Sequence, residues 1–169
     1  MTLTIGFLGG GNMASALLGG LVRKTEGARL HVTDHNAPKL EKLAALGVTT
    51  HETTGDWISE CDLFVLAVKP QVMKEALVPV KPLLKKGGAA LSIAAGIEGS
   101  VLSGWLGGYP VIRAMPNTPA LVGAGLSGLW IPEGTSPEHA EAAEFVMRAV
   151  GNVVACKTEA ELDVVGAIP

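Results

Sequence analysis

Ile5-Gly6-Phe7-Leu8-Gly9-Gly10-Gly11-Asn12-Met13-Ala14 joins a strand pattern to a helix pattern through three consecutive glycines. The apolar run Leu3–Leu8 has strand length, and Asn12–Lys24 places Met13, Leu17 and Leu21 on one helical face. The spacing is G-x-G-x-x-A. Gly9 permits the tight turn. Gly11, lacking a Cβ, lets a pyrophosphate approach the backbone, and Ala14 is small enough for the helix to pack on a sheet. Over Asn12 and Met13 the helix N-terminus offers unpaired N–H groups and a partial positive charge. The plainer alternative is that the glycines serve only a turn.

Outward from this point, strand-length runs alternate with helical patterns. Leu30–Thr33 reads as a strand, and Pro38–Leu46 as a helix stopped by Gly47. Asp62–Val68 is unbroken apolar after its first residue, which is the pattern of a strand covered on both faces. A helix over Gln71–Val80, a strand Ala89–Ala94 and a short helix Glu98–Leu106 follow. Val111–Met115 and Leu126–Ile131 are further strands, Pro137–Val150 is a helix and Asn152–Cys156 a last strand. The order implies an α/β fold: a doubly wound, mostly parallel Rossmann-type sheet with helices on both faces, its ligands at the C-terminal edge of the strands. Gly19 and Gly20, inside the first helix, are expected to serve close packing.

The composition agrees. The 169 residues are 48% hydrophobic, 17% charged and only 4% aromatic, with 22 glycines, which suits one layered domain and not a disordered chain. A net charge of −3 without a basic tract argues against nucleic acid as partner. The apolar stretch 89–97 is too short to span a bilayer, and the N-terminus carries no signal-like region, so no membrane partner and a cytoplasmic location are expected. Cys61 and Cys156 are expected to be buried thiols. No set of clustered metal ligands is apparent, and no metal is expected. His31, His51 and His139 are expected in surface or capping roles; His35 is the exception.

Three further positions bear on a nucleotide. Asp34 ends the second strand about 20 residues beyond Gly11, where an acidic residue holds the ribose 2′-OH of NAD. A protonated His35 or Lys39 next to it would instead meet the 2′-phosphate of NADP. Asp34 or Asn36 could equally cap the following helix. Ala67-Val68-Lys69-Pro70-Gln71 follows a strand, with Pro70 opening a helix beside the expected cleft. Arg113-Ala114-Met115-Pro116-Asn117-Thr118-Pro119 fixes Asn117 and Thr118 between two prolines, rigidly enough to orient a nicotinamide carboxamide. Alternatively, this turn satisfies only its own backbone.

Together the first stretch, Leu66–Gln71, Ser92-Ile93-Ala94-Ala95-Gly96-Ile97 and Met115-Pro116-Asn117-Thr118-Pro119, in this order, resemble pyrroline-5-carboxylate reductase over nearly the whole chain. The resemblance implies an eight-stranded nucleotide domain followed by a helical domain that dimerises and builds larger homo-oligomers. It implies reduction of 1-pyrroline-5-carboxylate to L-proline, the last step of proline biosynthesis, with NADP as the cofactor and NAD possible. Gly9 to Ala14 would hold the pyrophosphate. Ala67, Val68, Lys69, Pro70 and Ala95 would line the nucleotide cleft, with Asn117 and Thr118 near the nicotinamide. Thr54 stands where the family has an asparagine on the adenosine side, and His35 near the place of a family arginine for the 2′-phosphate.

Such a reaction moves hydride from nicotinamide C4 to an electrophilic imine carbon and needs no side-chain nucleophile. Residues 1–157 are read as the dinucleotide-binding domain. Residues 158–169 are read as the start of a helix whose stripe Leu162, Val165 and Ile168 leads to a substrate domain or an oligomer partner, or folds back on its own domain. The isolated chain would then be inactive or weak. Two other readings remain: another NADP reductase of the same architecture, such as a deazaflavin-dependent one, and a non-catalytic NAD(P)-binding redox sensor.

Overall fold

The computed structural model describes residues 3–24 and 29–167, and all of Thr118 but its side chain. Its strands are β1 (Thr4–Leu8), β2 (Arg29–Thr33), β3 (Thr49–His51), β4 (Leu63–Leu66), β5 (Ala89–Ser92), β6 (Val111–Met115), β7 (Gly125–Trp130) and β8 (Gly151–Cys156). The helices are α1 (Asn12–Lys24), α2 (Ala37–Ala45), α3 (Pro70–Leu77), α4 (Gly99–Trp105), α5 (Pro137–Met147) and α6 (Ala160–Gly166). All eight strands form one sheet in the order β3-β2-β1-β4-β5-β6-β7-β8, parallel throughout except for the antiparallel β6–β7 pair. This is the expected doubly wound, mostly parallel architecture.

Alternate residues of the central strands feed two cores. Leu63 and Val65 of β4 face α1, α2 and α5 with Leu17, Leu43 and Val146, while Phe64 and Leu66 face α3 and α4 with Met73, Leu77 and Leu102. A strand buried on both faces must be apolar throughout, which is what its sequence shows. Several element ends differ from expectation: β4 is confined to Leu63–Leu66 within the expected Asp62–Val68, and β5 ends at Ser92 instead of Ala94. The helix after Pro70 stops at Leu77, short of Val80, where Pro79 and Pro82 lack the amides needed to continue the ladder. The helix from Pro137 yields to a 3₁₀ turn at Arg148–Val150. Strand β3 and the 3₁₀ turns Asp56–Glu60 and Thr118–Val122 were not apparent in the sequence. A three-residue strand carries no readable period.

Cys61 and Cys156 are buried, unpaired thiols, and burial pushes the Cys61 thiol up to about 12. Gly20 matches its expected role, since a Cβ there would collide with the Ala149 carbonyl oxygen. Gly19 does not: nothing lies within 4 Å of its Cβ position. The apolar stripe of α6 is covered by the chain itself. Leu162 and Val165 are buried against Met115 and Cys156, forming a third small core on the β6–β8 end of the sheet. Ile168, the third member of that stripe, lies outside the described residues.

Candidate functional site

β1 and β4 are neighbours, yet their connections leave on opposite sides, α1 toward β2 and α3 toward β5. The C-terminal ends of β1 and β4 therefore form the topological switch point, where a crevice opens outside the sheet. Gly9 sits in it with φ +101°, and a Cβ there would come 2.9 Å from Ala67 O. Gly10 is hemmed by Leu43 and Asp34 at 3.3 and 3.4 Å. Gly11 is different: nothing lies within 4 Å of its Cβ position, and its φ is not left-handed. The protein's own packing thus explains Gly9 and Gly10 but leaves Gly11 without an internal reason to be glycine.

Beyond Gly11 the helix begins. Ser15 N–H donates to Gly11 O at 2.8 Å, the first helical bond, so the amides ahead of it have no acceptor within α1. Ala14 is buried beneath them. Asp34 braces the loop, a role the sequence did not reveal. Its Oδ2 accepts from Gly10 N–H at 2.7 Å and its Oδ1 from Asn36 N–H at 2.8 Å. Asn36 caps α2 by accepting from Lys39 N–H at 3.0 Å. The capping alternative therefore holds for Asn36.

A cavity of about 570 Å³ adjoins this loop, bounded by Gly9, Asp34, His35, Thr54, Val68 and Val72. Candidates from three separate stretches, Asp34 with His35, Thr54, and Val68, thus share one space. Its far wall is the segment after β3. Outside the cavity lining, His31 Nδ1 and His51 Nε2 are 2.9 Å apart, and both rings stack with Trp57, His51 at 4.2 Å between centroids. These two histidines are half-buried stacking partners, contrary to the expected surface role, and burial holds both below the ordinary histidine value. His139 is a surface contact, with Nε2 2.8 Å from Gly87 O.

On the other side of the switch point, Ala67 is half-buried, and Lys69 and Pro70 are exposed at the start of α3. Ala95 is exposed on the turn after β5. Asn117, after β6, is only 4% exposed, and its Oδ1 accepts from Leu126 N–H at 2.9 Å. Its oxygen is therefore occupied in holding the start of β7. Thr118 opens a 3₁₀ turn, and its side chain lies outside the description. Asn12, Met13 and Ala14 form the first turn of α1, with Asn12 exposed.

Among the described residues no helix is long and apolar enough to cross a membrane, and no group of three His, Cys, Asp or Glu side chains is placed to hold a metal ion. Residues 4–96 match the family described as NADP oxidoreductase, coenzyme F420-dependent. The chain is 38% identical over 170 aligned positions to a pyrroline-5-carboxylate reductase of Pseudomonas aeruginosa, covering 99% of this chain and 62% of that protein. The solved pyrroline-5-carboxylate reductase of Coxiella burnetii superposes with a TM-score of 0.88 at 34% identity, over 94% of this chain and 60% of that one. A Plasmodium falciparum pyrroline carboxylate reductase, solved with NADP bound, shares the fold at a TM-score of 0.74 and 22% identity, over 92% of this chain and 58% of that one. The chain spans about three-fifths of the length of the relatives it matches.

Proposed function

The chain belongs to the NADP oxidoreductase, coenzyme F420-dependent, family, and from that premise we propose that it is the cofactor domain of a pyrroline-5-carboxylate reductase, serving the reduction of 1-pyrroline-5-carboxylate to L-proline with NADPH. The observation that carries this reading is Gly11, a glycine that neither backbone strain nor packing requires, facing open space beside the unpaired amides of α1. A diphosphate is the group that such a cradle fits. The residues present therefore suit the cofactor.

Gly9 to Ala14 hold the pyrophosphate. Asp34, His35, Asn36, Thr54 and Val68 serve the adenosine half around the cavity, and Ala67, Lys69, Pro70 and Ala95 line the path toward the nicotinamide. Asn117 and Thr118 position the ring side by fixing the backbone after β6. Both Asp34 oxygens already accept backbone amides, while His35 is exposed at the same rim, which favours a 2′-phosphate and hence NADP over NAD. Bound NADPH supplies the hydride, and the protein's part is to orient it.

The family match ends at residue 96, ahead of Met115–Pro119, so coenzyme F420 stays with the family description. That later turn, together with the similarity to pyrroline-5-carboxylate reductases along 99% of this chain, favours an imine substrate over a deazaflavin. Residues 1–157 form the nucleotide unit, and 158–169 begin the connection to a helical part that completes the substrate site and forms the homo-oligomer. Two buried, unpaired thiols suit a reducing cytoplasm.

The test is direct. The isolated chain is expected to bind NADPH, detected by calorimetry, and to oxidise it with pyrroline-5-carboxylate far more slowly than an intact family member. Absence of NADPH binding would overturn the cofactor assignment. Turnover equal to an intact enzyme would overturn the assignment of substrate groups to a further part.

A further inference from the structure

Arg113 is a charged residue in the middle of β6, and its side chain is only 5% exposed. Its Nη1 donates to Glu159 Oε2 at 2.7 Å, and its Nη2 reaches Ala94 O at 3.4 Å. The same Glu159 oxygen accepts from Gly99 N–H at 2.9 Å. Glu159 comes from the start of α6, so one ion pair joins β6, both ends of the turn between β5 and α4, and the segment after β8. Ser92 Oγ, fully buried on β5, accepts from Ala94 N–H at 3.2 Å. The turn 94–99 is thus held at both ends by side chains from elsewhere. Its own tip, Ala95 and the left-handed Gly96, is exposed at the C-terminal edge of the sheet.

The arrangement is costly for a purely structural device. Arg113 Nε is buried without a hydrogen-bond partner, and a buried ion pair is readily replaced by apolar packing. A dinucleotide across the switch point places its adenosine over β2 and β3, leaving the β5–β6 side to the nicotinamide. Resting on the cofactor reading above, we propose that Arg113 and Glu159 are positioning residues: the ion pair presets the turn 94–99 to receive the nicotinamide half of the cofactor. It touches neither the pyrophosphate loop nor the adenosine cavity, so its effect is confined to one half of the ligand.

The test compares NADPH with adenosine 2′,5′-bisphosphate, which lacks the nicotinamide, by calorimetry on this chain. Nicotinamide fluorescence serves as a second readout. Glu159→Ala leaves Arg113 buried and unpaired. The double variant R113M/E159M removes both charges and keeps apolar volume, so that folding is preserved. In both, NADPH affinity is expected to fall about tenfold with a changed nicotinamide fluorescence, while affinity for the bisphosphate stays within about twofold. A folded double variant with native NADPH affinity and fluorescence would overturn the proposal, as would equal losses for the two ligands, which mark a merely structural pair. If the unmutated chain bound neither ligand, the dinucleotide reading would fall, and the positioning role with it.

Discussion

The glycine loop after β1 and the Asn117 turn after β6 both stand at the C-terminal edge of the sheet, and both look like binding motifs. The molecule uses them differently. At the glycine loop, the position suited to a ligand, Gly11, makes no demand on the fold and borders open space. At the Asn117 turn the polar side chain is buried, and its oxygen accepts from the Leu126 amide at the start of β7. One region separates function from stability, and the other joins them. A binding residue is recognised less by its type than by whether the fold already accounts for it.

The largest effects should come from within the glycine loop. Gly9→Ala places a Cβ 2.9 Å from Ala67 O on a left-handed backbone. It should destabilise the chain by about 2–4 kcal/mol, roughly 5–10 °C in Tm, measured by thermal denaturation. Gly11→Ala puts its methyl into open space, so its Tm should match or slightly exceed that of the parent. Its NADPH affinity by titration should nevertheless fall by about tenfold or more, as the backbone loses close approach to the diphosphate. If the two variants behaved alike, the contrast within the loop would be lost.

Asn117→Ala should give an intermediate result. It strands the Leu126 amide in a partly buried setting, a loss of about 1 kcal/mol in chemical denaturation. Because the same turn fixes the backbone after β6, the nicotinamide fluorescence of bound NADPH should change as well. A variant that lost cofactor with undiminished stability would place Asn117 in the same class as Gly11.

The smallest effect concerns pH and the stack of His31 and His51 on Trp57. His31 and His51 are held below their ordinary value of 6.5, chiefly by burial, with their shared contact adding to the shift of His51. A lowered histidine disfavours protonation in the folded state. Their contribution is therefore complete above 6.5 and is lost as pH falls from 6.5 through the folded values. Tm should decline over this mildly acidic range, and His51→Phe, which keeps the stack on Trp57, should flatten the decline. An unchanged slope would show that the pair does not couple to stability.

Much of the fold was legible because its signals are local. The unbroken apolar run at Leu63–Leu66 marks a doubly covered strand, and α1 falls on the residues its periodicity marks. The spacing of Gly9, Gly11 and Ala14 marks the turn where strand passes to helix. Strand β3, with three residues, has no such signal. The antiparallel entry of β7 has none either, because direction depends on which neighbour a strand finds.

The candidate site divides along the same line. Sequence alone determined that a nucleotide-type loop joins the first strand to the first helix, and which residues could stand at strand ends. A backbone's left-handed turn and a helix's apolar face are properties of neighbours in the chain. Only the tertiary structure decided that Asp34 braces Gly10, that Asn117 is occupied with Leu126, that Arg113 meets Glu159, and that His31 and His51 stack with Trp57. Apart from Asn117 with Leu126 and His51 with Trp57, these partners lie 20 to 46 residues apart in the chain. What pairs them is the order in which parallel strands assemble, and that order is set by burying both faces of the sheet at once, a condition on the whole chain and not on any stretch of it.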